Sequence, residues 1–510
     1  MKSAQSPLLP LLTTIVLTAM LLVAAVHPAL AQPTSSANEK STTTFYERVR
    51  NNPLTLRGFI AEMPKGADVR VRLSESIYPE EYLNLLEQKN FCIMLPTYFA
   101  VPQINNRCRP GTIPAVEFFN DEDKYHEVLA HLNELSQGEE SPLKSLEDVE
   151  PEHLGFLLGA LTTSAAYQKL NYIEVLIPWF PDTLNSEAEK LEWNGTPEEM
   201  YPSVAALMSE KDLAATTTHL DTVEAIRQKY ADEGAVLSTK VRYIVEVERN
   251  QSPAIVFAQL LYAFKSAAAD PRFVGVSLSG DENAPIALHD YNLHMEMLEV
   301  LTAQDSFSNV KAVVSAGFLD QGVVQPRQFE DRIRMPVTRG NAARISHGSS
   351  VMHENRPFEL LATLKERNIP VEIALTSEDV KFSITGLRNP FPVLLEYNVP
   401  VVLVTESGGL HRTDITNEYS RAVLSYNLSY AQLKQLVRNT LEYSLLSGKS
   451  IWESTTPYVM GKECRDSLRG KETGICKKLL TESEKAQEQW KLEGQFVDFE
   501  RSFAVQPPIR

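Results

Sequence analysis

The sequence predicts an α/β fold built as a (β/α)8 barrel with helical additions. Three observations lead there. Eight short segments rich in Val, Ile and aromatic residues recur along the chain. Several are separated by amphipathic stretches with apolar residues at helical spacing, and 510 residues suffice for one large barrel with insertions. Strand alternating with helix makes a parallel sheet, and eight units fit a closed barrel better than an open doubly wound sheet, the alternative that strand count leaves open.

The elements follow in order. Lys2, an apolar run from Leu11 to Val26 and the triplet Ala29-Leu30-Ala31 read as a secretory signal peptide over residues 1–31, cleaved after Ala31. The run is shorter than the roughly 20 residues a spanning helix needs, so no membrane association is expected after cleavage. Residues 32–44 are polar and rich in Ser and Thr, the composition of a flexible linker. The candidate strands are Gly66 to Leu73, Tyr172 to Ile177, Val241 to Val247, Val274 to Leu278, Val310 to Val314, Arg344 to His347, Val371 to Leu375 and Val401 to Val404, of which Arg344 to His347 owes its place to the motif resemblance given below. Ala254 to Ala268, His294 to Thr302 and Phe358 to Arg367 are helical stretches between them. Residues 76–170 form an insertion over one rim of the barrel, and residues 415–510 add C-terminal helices, with candidates at Tyr430 to Ser447 and Leu479 to Phe496. No repeat at a fixed period occurs, which excludes solenoids and propellers.

Composition limits the function. A hydrophobic fraction of 43% with 23% charged residues is that of an ordinary globular protein, and a net charge of −17 argues against a nucleic-acid partner. The four cysteines fall into two local couples, Cys92 with Cys108 and Cys464 with Cys476. After export they are expected to form two short disulfides, since neither couple has the C-x-x-C spacing of a metal site. His126 with His131, and His289 with His294, are five apart, a poor spacing for one helical face, and no H-E-x-x-H occurs. A serine hydrolase is disfavoured as well. No G-x-S-x-G is present, and Ser346 and His347, as neighbours on a strand, are expected on opposite faces.

In a β/α barrel the working residues stand at the C-terminal ends of the strands. The first strand region reads Met63-Pro64-Lys65-Gly66-Ala67-Asp68-Val69-Arg70-Val71-Arg72-Leu73-Ser74. It resembles the M-P-K-G-x-D-L-H-x-H-L-S-G of the secreted adenosine deaminase family, the adenosine deaminase-related growth factors included. Ser277-Leu278-Ser279-Gly280-Asp281-Glu282 is similar to the family's D-L-x-G-D-E, and Arg344-Ile345-Ser346-His347-Gly348 to its R-I-G-H-G. Arg438 to Ser444 resembles a C-terminal family helix, and Leu375-Thr376-Ser377 is a looser match. The resemblance implies a TIM barrel of the metal-dependent hydrolase type and, for an active member, a zinc-bound hydroxide that attacks the purine carbon of adenosine.

The departures bear on activity. The four family positions that hold zinc read Arg70, Arg72, Ser315 and Glu406, and the position of the glutamate that handles the proton reads Phe318. An arginine has no lone pair to donate, and one hydroxyl with one carboxylate is too small a ligand set. His347 matches the histidine that orients the hydroxide, and the eighth-strand pair of acids appears as Glu406-Ser407. The expectation is an exported protein, periplasmic or secreted, that needs no cofactor and is catalytically silent. Arg70, Arg72, Ser74, Gly280, His347 and Glu406 would line a site for a nucleoside, another small molecule such as an anion, or a protein partner. A zinc-dependent adenosine deaminase is the alternative, and a homodimer is an open assembly. Arg70 and Arg72, two apart on a strand, point to one side and are expected to pair with Glu406. Two arginines and one glutamate sum to +1, the charge of zinc with one aspartate. An anion at the mouth would use that residual charge; otherwise the pair is an internal salt bridge.

Overall fold

A computed structural model describes residues 36–504, apart from 82, 84–90, 95–98, 102, 104–106, 136–150, 232 and 321. The signal peptide expected over 1–31 lies outside the described residues.

Eight parallel strands form one sheet in sequential order: Gly66–Arg72, Leu170–Ile177, Lys240–Glu248, Phe273–Ser279, Ala312–Ala316, Ala342–His347, Val371–Ile373 and Val401–Leu403. They are the first to eighth strands below. Residues 70–72 also bond to residue 406, through Glu406 N to Arg70 O at 2.9 Å and Arg72 N to Glu406 O at 3.0 Å, so the eighth strand returns to the first and the barrel closes. Asp68 ties the same seam by accepting from Thr405 N and Thr405 Oγ1. The strands are almost wholly buried, which explains their continuous rather than alternating apolar runs. Every expected strand is present. Two expected strand ends belong to other elements: Leu375 opens the helix Leu375–Phe382, and Leu73 opens Leu73–Ser76.

Residues 32–44 were expected to be a linker, and this is corrected from Ala37 onward, where the helix Ala37–Val49 begins. The Ser and Thr hydroxyls that suggest a linker donate to carbonyls four residues back, from Ser41, Thr42, Thr43 and Thr44. Tertiary packing then holds the helix. Tyr46 is fully buried and donates to Leu428 O at 2.6 Å, and Phe45 packs at a tilt against Phe503 of the C-terminal helix Glu484–Ala504, with ring centroids 4.8 Å apart.

The segment 76–170 carries a three-stranded antiparallel sheet of Phe99–Val101, Cys92–Met94 and Thr112–Pro114. The Cys92–Cys108 disulfide staples it, and Cys464–Cys476 closes the second loop. Its last helix, Pro151–Tyr167, packs on Glu210–Tyr230. Gly155 permits the approach: a Cβ there would lie 2.6 Å from Ile226 Cβ and 2.8 Å from Val223 O. At the C-terminus, one helix expected from Leu479 to Phe496 is two, Gly474–Glu482 and Glu484–Ala504. Ser483 breaks the run with extended backbone, donating to Lys449 O and accepting from Ala486 N. The hairpin of Trp452–Thr455 and Tyr458–Met460 was not anticipated.

Candidate functional site

The upper interior of the barrel is organised around the Arg70 guanidinium, 1% exposed on the first strand. A buried guanidinium must be paired and hydrogen-bonded at most of its donors. Arg70 Nη2 donates to Ser315 Oγ at 3.0 Å, Nη1 to Ser346 Oγ at 3.0 Å, and Nε lies 3.4 Å from Glu406 Oε1, with Glu372 at 3.9 Å. Arg72 lies one turn of the pleat above. Its Nε donates to Glu246 Oε1 at 3.0 Å, and Nη1 lies 3.5 Å from Glu406 and 3.7 Å from Glu75. Positions 70 and 72 on the first strand, 315 on the fifth and 406 just after the eighth therefore converge on one cluster.

The two arginines and Glu406 pair as the sequence suggests, but the +1 sum does not describe the site, because Glu246, Glu75 and Glu372 join it. Below Arg70, Glu372 bonds to Ser346 Oγ and meets Arg344 Nε at 2.6 Å, while Arg344 Nη2 meets Glu174 at 2.6 Å. A column of alternating charges thus runs through the barrel. Glu174, Glu246 and Glu372 escaped the motif reading, although Glu174 and Glu372 are single acids inside the strands Leu170–Ile177 and Val371–Ile373, and Glu246 stands between Val245 and Val247 in Lys240–Glu248. Such an acid demands an internal cation, and that signal was available.

His347, 4% exposed, ends the sixth strand with φ of +73°, and its Nε2 lies 3.3 Å from Glu406 Oε1. The positive φ swings its ring inward, so Ser346 and His347 both reach the cluster instead of facing opposite sides. Burial works against a charged imidazole, yet Glu406 and Glu378 raise its pKa above the usual range. Burial likewise disfavours the Glu406 carboxylate, but His347, Lys381 and Arg70 hold it well below ordinary values. Burial pushes Glu378 up. Phe318 stacks flat on His347, with centroids 4.1 Å apart and planes 9° apart, and Lys381 stands over the Phe318 ring. Ser407 Oγ bonds to Glu75, and Ser74 is buried beside the first strand's end. Gly280 lies on the rim after the fourth strand, against Glu248.

These side chains do not fit a zinc ion. Both guanidiniums lack a lone pair, Ser315 Oγ already accepts from Arg70, and Glu406 Oε1 is shared by Arg70, Arg72 and His347. Among the described residues no three His, Cys, Asp or Glu side chains are grouped to hold a metal ion. His289 and His294 stand apart, the first exposed and the second fully buried with burial pushing its pKa down to about 3.

The closed eight-stranded barrel, with its candidate site at the C-terminal strand ends, places the fold among the TIM barrels of the amidohydrolase and deaminase type. A zinc-bound amidohydrolase from Burkholderia ambifaria superposes with a TM-score of 0.54 at 14% identity over 88% of this chain and 95% of that one. An N6-methyl-AMP deaminase from Arabidopsis thaliana superposes with a TM-score of 0.51 at 17% identity, over 77% and 94%. The adenosine deaminase family model matches residues 194–451, and the chain belongs to that family. It is 23% identical over 230 residues, 45% of this chain, to an adenosine deaminase-like protein of Drosophila pseudoobscura pseudoobscura. With an adenosine deaminase of Enterococcus faecalis it shares 34% identity over 112 residues, 22% of this chain. The chain spans 59% and 32% of those two relatives' lengths.

Proposed function

We propose that this protein is an exported, catalytically silent member of the adenosine deaminase family, which acts by binding a small molecule or a protein partner. The observation that carries the reading is the placement of the Arg70 guanidinium. It bonds at once to Ser315 and Glu406, two of the positions the family uses for zinc, from the position of a third. A protonated guanidinium there supplies the positive charge the surrounding acids need, and it cannot generate a hydroxide. Phe318 removes the second requirement, since its ring has no proton to give or take and fills the space against His347. Export is supported by the N-terminal sequence and by two disulfides. No described helix is long and apolar enough to cross a membrane.

The extra acids argue for a neutral or cationic ligand over the anion that the sequence suggested. Arg72, the outermost arginine, already meets Glu246, Glu75 and Glu406. The test is ammonia release from adenosine by the purified mature chain with zinc supplied, alongside metal analysis of the same sample. No turnover and no stoichiometric zinc is the expected result. Turnover with bound zinc would overturn the proposal.

A further inference from the structure

A cavity of about 350 Å³ opens between the ends of the second and third strands, with Glu246 as its link to the Arg72 cluster. His347 and Phe318 do not line it. The residues lining it include the acids Glu246 and Glu248, the amides Asn185, Gln251 and Gln259, and Phe180. The amides are fixed by one another: Gln251 Nε2 donates to Gln259 Oε1 at 3.2 Å, and Gln259 Nε2 to Asn185 Oδ1 at 2.9 Å. The wall is therefore set before any ligand arrives.

Glu248 differs from the other acids of the mouth. Its Oε1 accepts from Asn250 N at 3.0 Å and Asn250 Nδ2 at 2.9 Å, and among the described residues no salt bridge joins it to a cation. Gly280 lets the carboxylate rest there, because a Cβ on Gly280 would fall 1.9 Å from Glu248 Oε1. The ion-paired column holds Arg70, Arg72 and Arg344 against Glu75, Glu174, Glu246, Glu372 and Glu406, three guanidiniums to five carboxylates. Arg249, fully buried beside the column, donates to the carbonyls of Leu278, Ser279 and Ser315, so the acid of the cavity wall left without a cation among the described residues is Glu248.

We propose that this cavity binds a small organic cation, an alkyl diamine or an alkyl guanidinium. Its charged end pairs with Glu248 and Glu246, and its methylenes lie against Phe180. The inference rests on the non-catalytic binding reading above and names the ligand class. Calorimetric titration of the mature chain with putrescine and with agmatine, beside the neutral isostere 1,4-butanediol, tests it. At least one amine is expected to bind, more weakly as salt rises, with affinity falling about tenfold in Glu248→Gln, the loss of one charge-assisted contact. Glu248 is exposed, so that variant should match the parent in thermal unfolding. The proposal is overturned if neither amine binds, if the diol binds as well as the amines, or if Glu248→Gln binds unchanged. Ammonia release and zinc content measured on the same samples keep the two proposals apart. Turnover sinks the silent-enzyme reading whatever the amines do, while silence without amine binding sinks the cavity alone.

Discussion

Glu406→Gln removes one negative charge from the centre of the barrel and leaves the side chain's size intact. Three cationic groups contact this carboxylate: His347 Nε2 at 3.3 Å, Arg70 Nε at 3.4 Å and Arg72 Nη1 at 3.5 Å. Arg72 keeps Glu246 at 3.0 Å, whereas Arg70 is left with two serine hydroxyls and Glu372 at 3.9 Å. Breaking a buried ion pair by removing one partner costs about 3–5 kcal/mol, because the remaining charge stays buried. With unfolding entropy of about 2 cal/mol/K per residue, a cooperative unit of this size carries about 1 kcal/mol/K, and the melting temperature should fall by about 3–5 °C. Glu406 has a folded pKa below its ordinary value, so its contribution is present above about pH 4.5 and lost as pH falls through the depressed value. The gap between parent and variant should therefore narrow in acid. Differential scanning calorimetry across pH 3–8 reads both effects. A variant that melts within 1 °C of the parent at neutral pH would refute the idea that Glu406 balances the arginines.

His347 titrates in the opposite sense. Its raised folded pKa stabilises the protein fully below about pH 6.5, and that contribution disappears as pH rises through the folded value; His347→Gln should flatten this part of the stability profile, followed by urea denaturation. Phe318→Glu, which places a carboxylate at the family's acid position, should restore no ammonia release, since Arg70 and Arg72 still occupy the ligand positions; measurable turnover would mean that zinc is held by other groups. Lys65, buried and donating to Ala61 O, Met63 O and Gln168 O, is pushed down to about 7 by burial from 10.5. The unfolded chain binds the extra proton between those values, so stability should rise with pH across that window, and Lys65→Met should abolish the slope. Replacing Cys464 and Cys476 by Ser should cost about 3 kcal/mol through the entropy of a loop of this length, measured by chemical denaturation.

The sequence by itself pointed to a parallel sheet of eight strands, and the family resemblance favoured the closed barrel over the open doubly wound sheet. Runs such as Leu170–Ile177 and Ala312–Ala316 are apolar at nearly every position, because a parallel strand covered on both faces has no side to show water. The motif residues Arg70, Arg72, Ser315, Phe318, His347 and Glu406 were legible through the family resemblance, which assigns a role to each of these positions near the strand ends. The disulfide couples were legible too, as local pairs. Composition misled at residues 37–44, where tertiary contacts of Tyr46 and Phe45 make a helix of a Ser/Thr-rich stretch. What only the tertiary structure decided was the partner of each buried charge. Glu246 stands 174 residues from Arg72, and Glu372 lies 302 from Arg70. No local spacing relates them, and their pairing follows from barrel closure, which brings distant strand ends within a few ångströms. The same closure set three guanidiniums among five carboxylates where two arginines and one glutamate were expected, because the charge of a buried site is the sum over every strand that faces it.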